Sequence, residues 1–416
     1  MKISVIGLGY IGLPTSAVFA AHGANVVGVD VSPKIVEIIN QGNIHIEEPG
    51  LAELVKTVVA KGNLKASLVA EESDAFIIAV PTPNNNDEYL GCDLKYVLSA
   101  TEAILPYLKK GNVVIIESTI SPRTTEDYVK PILEEKGFIV GEDIYLAHCP
   151  ERVLPGQILD ELVNNNRIVG GITPACADAA AKVYELFVKG EIIKTEAKTA
   201  EMSKLMENTF RDVNIALANE LTKICNSLDI NVLDVIKMAN KHPRVNIHTP
   251  GPGVGGHCLA VDPYFIYSKA PEIAKIIKLA RDTNNSMPEF VVENVEKLLN
   301  NDKEKTITAF GVTYKPDVDD LRESPALKII RMLEEKGYNV KIHDPHVKNE
   351  DYLDFNSSLK ESDFLLVLVG HKLFKEMDMN KVRELMKNPL LFDVTGAIRK
   401  NDIVDVINYG NLYKFL

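Results

Sequence analysis

Apolar, β-branched runs alternate with amphipathic stretches along the first part of the chain. This alternation is typical of βαβ units and predicts an α/β fold with a mostly parallel sheet. We predict a helix from about Leu13 to His22, and strands at Lys2–Ile6, Asn25–Asp30, Ala75–Val80, Val113–Glu117 and Ile144–Ala147.

The pattern changes near Lys198, where an amphipathic stretch reaches Leu228 without glycine or proline. Its apolar residues recur every three or four positions, which predicts one long helix. More helix is predicted at Val232–Asn240 and from about Ile273 to Leu299. Between them lies a loop rich in glycine and proline, His242–Pro263.

The last part of the chain alternates again. It predicts a helix at Pro325–Lys336 and strands at Thr306–Phe310, Asn339–His343, Phe364–Val369 and Leu390–Val394. We therefore expect an α/β domain in residues 1–197, a central long-helix region in 198–300 and a second α/β domain in 301–416. The two α/β domains are expected to be weakly similar, because each has a strand ending in an acid, Asp30 or Asp344.

The composition is that of a globular protein of more than one domain, and it argues against a protein that binds nucleic acid or membranes. A chain of 416 residues suggests two or three domains, and 46% apolar residues suffice for a sizeable core. The net charge of -12 gives no bulk attraction to nucleic acid or to an anionic membrane, so neither is an expected partner. We find no apolar run of the roughly 18 residues that a spanning helix needs, and the glycine spacing of the first residues argues against a signal peptide.

The five cysteines are odd in number, scattered and without a CxxC pair: Cys92, Cys149, Cys176, Cys225 and Cys258. Neither a disulfide framework nor a metal site is expected, and a reducing cytoplasm is the expected compartment.

A glycine loop follows the first predicted strand. Gly7, Gly9 and Gly12 form GxGxxG where a helix begins, and Asp30 ends the next strand. In this setting the glycines permit a tight turn, backbone approach to a pyrophosphate and close packing of helix and strand. Asp30 would accept hydrogen bonds from the adenosine ribose and repel a 2′-phosphate. Residues 1–197 are therefore predicted to be a Rossmann-type domain that binds NAD rather than NADP; the alternative is a glycine-rich turn in an unrelated α/β protein.

The segment Pro250–Asp262 is the most unusual in the chain, because Cys258 lies in a run of glycines with an aspartate close behind it. Backbone N–H donors around a thiol suit a nucleophilic thiolate that adds to an aldehyde. The alternative is a buried structural cysteine, which is how we interpret the other four.

Lys204, Asn208 and Arg211 recur at helical spacing and share one face of the long helix. They are either a solvated polar face or a catalytic lysine, an orienting amide and an anion-binding arginine. A KxxxN helix also occurs in β-hydroxyacid dehydrogenases, a rival enzyme class against which Cys258 argues.

Eight motifs in order resemble the UDP-glucose/GDP-mannose dehydrogenase family. They are GLGYIGLP at the start, EEPGL at 47–51, VPTP at 80–83, ESTISP at 117–122, CPERVLPG at 149–156, KLMENTFRDVNIALANEL at 204–221, PGPGVGGHCLAVDP at 250–263 and FGVTYKPDVDDLRESP at 310–325.

The resemblance implies roles for residues of this chain. The NAD contacts, beside the glycines, would be Tyr10, Ile11, Asp30, Thr82 and Thr119. The catalytic set would be the nucleophile Cys258, the lysine Lys204, Asn208 for the oxyanion, and Glu151, Asp262 and Thr119 for water and proton transfer. Around the nucleotide sugar would lie Lys204 and Asn208 again, with Arg152, Val153, Arg211, His242, Arg244, Gly255, Tyr314, Lys315 and Arg322. Six of these are Arg or Lys, which would let an acidic chain bind a pyrophosphate locally.

The implied reaction is a four-electron oxidation of a sugar CH₂OH to a carboxylate, through a Cys258 thiohemiacetal and thioester. Family members that act on UDP-glucose or GDP-mannose usually carry Pro-Lys before the aspartate, whereas this chain has Leu259-Ala260-Val261. That run, with Tyr264-Phe265 after it, resembles the branch acting on UDP-N-acetylmannosamine. UDP-N-acetylglucosamine and then UDP-glucose are the alternative UDP-sugar substrates.

Two further alternatives remain. A catalytically inactive nucleotide-binding module would need Cys258 or Lys204 replaced, and both are present. The last α/β domain lacks its own GxGxxG and is either a packing domain or, as the resemblance implies, a Rossmann-like domain on the UDP side of the site. The family pairs through its central helices, so we expect a homodimer through 198–228 and 273–299.

Overall fold

The computed structural model describes residues 1–399 and 401–416, and its packing divides the chain into two units. Unit 1 comprises Met1–Glu207 and Tyr264–Pro271, and unit 2 comprises Asn208–Pro263 and Glu272–Leu416. Among the described residues, no helix is both long and apolar enough to cross a membrane.

Unit 1 is built on one eight-stranded sheet. Its strands are β1 (Lys2–Ile6), β2 (Asn25–Val29), β3 (Leu64–Ser67), β4 (Ala75–Ile78), β5 (Val113–Ile116), β6 (Tyr145–His148), β7 (Arg167–Gly171) and β8 (Ile192–Glu196). Their order is β3-β2-β1-β4-β5-β6-β7-β8. β6 and β7 are antiparallel, and the other neighbours are parallel.

Helices cover both faces of this sheet. They are α1 (Gly12–Ala21), α2 (Pro33–Asn40), α3 (Leu51–Ala60), α4 (Lys95–Ile104), α5 (Lys130–Glu135), α6 (Ile158–Asn164) and α7 (Pro174–Tyr184). Ile77 and Ile115 pack into one apolar cluster, and Phe76 and Val114 into another. Successive side chains of a strand point to opposite faces, so strands buried on both faces have continuous apolar sequences.

Unit 2 contains a five-stranded parallel sheet in the order β10-β9-β11-β12-β13, with β9 (Thr306–Phe310), β10 (Asn339–His343), β11 (Phe364–Val367), β12 (Leu390–Asp393) and β13 (Asp405–Asn408). The long helix α8 (Ala197–Ser227) crosses from unit 1 into unit 2. The remaining α-helices of unit 2 are α9 (Val232–Ala239), α11 (Lys275–Asn285), α12 (Met287–Leu298), α13 (Pro325–Glu335), α14 (Phe355–Leu359), α15 (Lys372–Lys375) and α16 (Met379–Leu385). The helix α10 (Asp262–Tyr267) begins in unit 2, and its residues from Tyr264 onwards belong to unit 1.

The predicted α/β fold and the single long helix are confirmed. The predicted helix over 273–299 is wrong in one respect, since α11 and α12 are separated at Ser286. Pro288 follows in the first turn of α12, and proline has no N–H to continue the hydrogen bonds of α11. The strands β3, β7, β8 and β13 were not predicted. The domain boundaries near 197 and 300 stay a prediction.

Candidate active site

The glycine loop of unit 1 lies between β1 and α1. Gly7 has a left-handed backbone, with φ +95°, and a Cβ there would stand 2.4 Å from the carbonyl oxygen of Ala79. A Cβ on Gly12 would stand 1.8 Å from the carbonyl oxygen of Gly7. A Cβ on Gly9 would instead meet open space. Gly9 therefore keeps the backbone open to a ligand at the start of α1, where a helix N-terminus favours a phosphate.

Asp30 directly follows β2 and is held beside this loop. Its Oδ2 accepts a hydrogen bond from the Leu8 N–H at 3.1 Å, and its Oδ1 accepts one from the Ser32 N–H at 2.9 Å. The carboxylate is thus fixed by backbone at the end of the strand next to β1, where an acidic residue binds a ribose in dinucleotide folds. Of the neighbouring predicted contacts, Tyr10 is exposed and Ile11 is half-buried.

Thr82 and Thr119 lie on neighbouring loops that follow β4 and β5, and both are half-buried. The Ser118 hydroxyl joins the two loops, because it accepts from the Val80 N–H at 2.9 Å and donates to the Val80 carbonyl at 2.7 Å. The structure therefore brings these two predicted residues to the same edge of the sheet as the glycine loop, at the carboxyl ends of parallel strands.

Glu151, Arg152 and Val153 follow β6. The side chain of Glu151 is buried and lies 2.9 Å from the Arg167 guanidinium, and its Oε1 accepts from the Arg152 N–H at 2.8 Å. The Arg152 side chain pairs with Glu207 at 2.7 Å and also donates to the Asn166 carbonyl. Val153 is half-buried. Arg167 lies at the start of the unpredicted strand β7 and was not among the predicted site residues.

Two of the three polar residues predicted to share one face of α8 are buried: Lys204 is 8% exposed and Asn208 is 2% exposed. This part of the face is therefore not solvated. Asn208 donates to the Asp262 carboxylate at 2.6 Å and accepts from Arg211. Nearby in unit 1, burial is the main cause that lowers the pKa of His148 to about 3, and the charge of Lys204 contributes. His148 is therefore neutral at physiological pH.

Cys258 is half-buried in a turn that leads into α10. The N–H groups of Val261 and Asp262 donate to its carbonyl at 3.1 and 2.8 Å. This turn places the buried Asp262 one helical turn after Cys258 in the chain, and Asn208 fixes the direction of the Asp262 carboxylate. By contrast, Cys149 is fully buried, and burial raises the pKa of its thiol well above the ordinary range, as suits a packing cysteine.

The glycines before Cys258 accommodate a second loop of unit 2. A Cβ on Gly255 would stand 2.3 Å from the Glu323 carbonyl oxygen, and one on Gly256 would stand 2.7 Å from the Tyr314 ring. The Gly256 N–H donates to the Arg322 carbonyl at 3.0 Å. The predicted substrate residues Gly255, Tyr314 and Arg322 are thus brought together, and the missing side chains of the two glycines leave the space that Tyr314 and Glu323 occupy.

The other predicted cationic residues of unit 2 lie in less buried places. Lys315 lies over the Tyr314 ring, with its Nζ 5.8 Å from the ring centroid. His242 and Arg244 lie at the exposed beginning of the loop that ends at Cys258. The Arg322 side chain pairs with Asp320 at 2.6 Å, so a bound pyrophosphate would compete with an acid for this arginine.

A buried polar network of unit 2 binds the backbone of the loop that carries Cys258. This network was not predicted from the sequence. Arg281 pairs with Asp212 at 2.6 Å and reaches the Leu259 carbonyl at 3.4 Å. Asn219 accepts from the Gly251 N–H at 2.9 Å and donates to Asn284 at the same distance. Asp212 and Asn219 continue the helical spacing of Asn208 on α8, which was the available signal.

Three family models match successive parts of the chain, all from the UDP-glucose/GDP-mannose dehydrogenase family. The NAD binding domain matches residues 1–188, the central domain 198–286 and the UDP binding domain 308–400.

Relatives match over nearly their whole length. The UDP-N-acetyl-D-mannosamine dehydrogenase of Campylobacter jejuni is 51% identical over 399 residues, which cover 92% of this chain and 98% of that protein. The solved structure of the UDP-N-acetyl-mannosamine dehydrogenase from Staphylococcus aureus is 54% identical, with 100% of both chains covered and a TM-score of 0.92. The counterpart from Pyrococcus horikoshii is 40% identical, with 99% and 100% covered and a TM-score of 0.93. The chain belongs to the UDP-glucose/GDP-mannose dehydrogenase family and is an NAD-dependent dehydrogenase.

Proposed function

We propose that this chain oxidises the C6 hydroxymethyl group of UDP-N-acetyl-D-mannosamine to a carboxylate, which gives UDP-N-acetyl-D-mannosaminuronate. The observation that carries the proposal is the turn that joins Cys258 to Asp262 through Leu259-Ala260-Val261, with Asp262 bound by Asn208. The identities of 51% and 54% to dehydrogenases named for this sugar support the choice of substrate.

The open backbone at Gly9 and the fixed carboxylate of Asp30 fit NAD. The glycine loop with Tyr10 and Ile11, together with Asp30, Thr82 and Thr119, would hold it. NAD, when bound, accepts a hydride from the sugar C6 in each of two oxidations.

Cys258 would add its thiolate to the aldehyde carbon that the first oxidation leaves. Lys204 and Asn208 would stabilise the oxyanion of the resulting thiohemiacetal. An amide nitrogen carries two N–H groups, and Asp262 accepts one from Asn208, so the other would serve the oxyanion.

The second oxidation leaves a thioester on Cys258, and its hydrolysis releases the acid. Glu151, Asp262 and Thr119 would align the attacking water and move its proton. The nucleotide would contact Arg152, Val153, Arg211, His242, Arg244, Gly255, Tyr314, Lys315 and Arg322.

Initial-rate kinetics with purified UDP-sugars test the substrate. We expect kcat/KM for UDP-N-acetylmannosamine to exceed that for UDP-N-acetylglucosamine and for UDP-glucose by at least roughly tenfold. Faster turnover of either competitor would overturn the assignment. The galacto epimer belongs in the same assay, because an NDP-N-acetyl-D-galactosaminuronic acid dehydrogenase of Ralstonia solanacearum is 47% identical over 396 residues.

We also propose a homodimer. Three large apolar side chains, each at least 45% exposed, lie along one stripe of α8: Phe210, Leu217 and Ile224; the equally exposed Leu228 directly follows the helix. Ile276 and Leu279 are similarly exposed on α11. Exposed apolar area of this extent is typical of an interface. Light scattering at micromolar concentration should give twice the chain mass, and a monomer would contradict this proposal.

We also propose a cytoplasmic location, because all five cysteines have free thiols, and free thiols are typical of a reducing compartment.

A further inference from the structure

A buried arginine in unit 1 lies between two carboxylates. Arg167 Nη2 is 2.6 Å from Glu117 Oε1 and 2.9 Å from Glu151 Oε2, and all three side chains are at most 8% exposed. Arg167 begins β7, Glu117 follows β5 and Glu151 lies in the loop after β6. Three neighbouring elements of one sheet thus supply a carboxylate–guanidinium–carboxylate group.

Glu117 is held without help from Glu151. The Tyr184 hydroxyl donates to Glu117 Oε1 at 2.6 Å, and the Thr15 hydroxyl donates to its Oε2 at 3.4 Å. The Arg167 guanidinium lies over the Tyr184 ring, with its carbon 3.9 Å from the ring centroid. Arg167 is therefore fixed from the Glu117 side, and it presents a positive charge in a defined place to Glu151.

Two carboxyl groups face one guanidinium, so full ionisation would leave one negative charge in excess in a buried place. Burial is the main cause that raises the pKa of Glu117 to about 7; Arg167 opposes the rise and Glu151 adds to it. The other titratable groups that face the cluster are Tyr184 and Cys149, and burial raises the pKa of both. These two are neutral at physiological pH, and Glu117, with a pKa of about 7, is itself protonated part of the time there.

We propose that Arg167 is a positioning residue for Glu151, which it holds in place for hydrolysis of the Cys258 thioester. This inference rests on the proposed function, in which Glu151 acts on the attacking water. In that step the water oxygen bonds to the acyl carbon and one water proton passes to Glu151. The carbon–sulfur bond breaks, and its electron pair returns to Cys258 Sγ. The Arg152 N–H donates to one oxygen of Glu151, and the other oxygen forms an ion pair with Arg167, so the carboxylate is restrained at both oxygens.

The decisive variant is Arg167→Met combined with Glu117→Gln. Removing the arginine alone would leave buried carboxylates uncompensated and destabilise the fold. The double variant removes the guanidinium together with the carboxyl group that it pairs with, and the Gln can still accept from Tyr184. Arg167→Lys keeps the charge and serves as the conservative variant. Tyr184→Phe is the matched control, because it removes a hydrogen bond to Glu117 and leaves the ring under Arg167.

The measurements separate the oxidations from hydrolysis. We expect the double variant to give a rapid burst of NADH, then steady-state turnover slowed by roughly 100-fold, the cost of misplacing a catalytic group by about 1 Å. Intact-protein mass should show the acyl group on the enzyme, and hydroxylamine should release it as a hydroxamate. Arg167→Lys should recover part of the rate, and Tyr184→Phe should accumulate no acyl enzyme.

Two results would overturn the inference: a folded double variant that hydrolyses the thioester at the wild-type rate, or one that slows the NADH burst and hydrolysis equally. Failure of the proposed function is a different result, because then the wild-type protein itself would release no acid from the sugar nucleotide.

Discussion

Gly7 follows β1 in unit 1, and Gly311 follows β9 in unit 2. Both have left-handed backbones, with φ +95° and +87°. The Gly7 N–H donates to the Val29 carbonyl at 2.7 Å, and the Gly311 N–H donates to the His343 carbonyl at 2.9 Å. In each unit this hydrogen bond runs to the last residue of the neighbouring strand, β2 or β10. The chain therefore makes the same kind of turn after β1 as after β9.

The acids at the ends of these neighbouring strands are equivalent too. Asp30 accepts from the Leu8 N–H at 3.1 Å, and Asp344 accepts from the Val312 N–H at 2.8 Å. Each also accepts from the N–H of the second residue after it. The similarity expected from two strand-ending aspartates is confirmed at the level of hydrogen bonds.

The loops differ in length and in what they contact. In unit 1 the helix begins at Gly12, and Gly9 keeps the loop open. In unit 2 the helix begins only at Pro325, and Tyr314 from the longer loop packs on Gly256 beside Cys258. The same strand–turn construction thus supports a ligand in one half and the loop of the nucleophile in the other.

The carboxylate of Asp344, the acid of unit 2, already has a buried side-chain partner. His371 Nε2 lies 3.1 Å from Asp344 Oδ2, both side chains are fully buried, and His371 Nδ1 accepts from the Asp317 N–H at 2.9 Å. His346, His371 and Asp317 are close enough to hold a metal ion, but both nitrogens of His371 already have hydrogen-bond partners. The comparison therefore predicts that only the acid of unit 1 acts on the cofactor.

Gly9→Val should have the largest effect. The added side chain meets no protein atom within 4 Å of its Cβ, so we expect a wild-type melting temperature. It would occupy the space of the ligand, and kcat/KM for NAD should fall by at least about 100-fold, as when two or three hydrogen bonds are lost. Circular dichroism and initial rates check this. A folded variant with normal NAD kinetics would break the comparison.

Asp30→Ala should have an intermediate effect, on cofactor choice. Removing the carboxylate removes repulsion of a 2′-phosphate, so the NADP-to-NAD ratio of kcat/KM should rise by roughly 10- to 100-fold. Asp344→Ala is the matched control in unit 2 and should leave this ratio unchanged. If wild-type protein used both cofactors equally, Asp30 would not set the choice.

Asp344→Asn should have the smallest effect, a loss of about 1–3 kcal/mol in the free energy of unfolding. Burial alone would raise the pKa of Asp344, but hydrogen bonds from His371 and from backbone N–H groups lower it overall. A lowered pKa means that the carboxylate stabilises the fold above its unfolded pKa of about 3.9 and loses this contribution as the pH falls. Urea unfolding at pH 7 and at about pH 3, below the unfolded pKa, should show the difference between variant and wild type shrinking at the lower pH. A constant difference would contradict the assigned partners.

Local features were predictable from the sequence. The turn at Gly7–Gly12 and the helix α8 depend on residues close together in the chain, and both were predicted. The burial of Lys204 and Asn208 could not be predicted, because spacing alone is the same for a solvated face and a buried one.

Pairings between distant residues were missed. Arg167 contacts Glu117, 50 positions away, and Arg281 contacts Asp212, 69 positions away. Neither arginine belongs to a motif, and the strand that carries Arg167 is short and ends in two glycines. Such pairs depend on sheet order, which the hydrophobic pattern does not specify.

A covalent intermediate on the Cys258 thiol is tested most simply by the variant Cys258→Ala. The measurement is the number of NADH formed per sugar, with a hydrazine probe for enzyme-bound aldehyde. We expect two NADH and only the acid from the wild type. The variant should give at most one NADH per site and no uronate, because the thioester cannot form without the thiol. A variant that is folded by circular dichroism and still yields two NADH per sugar would contradict the account, and would place Cys258 with the packing cysteines.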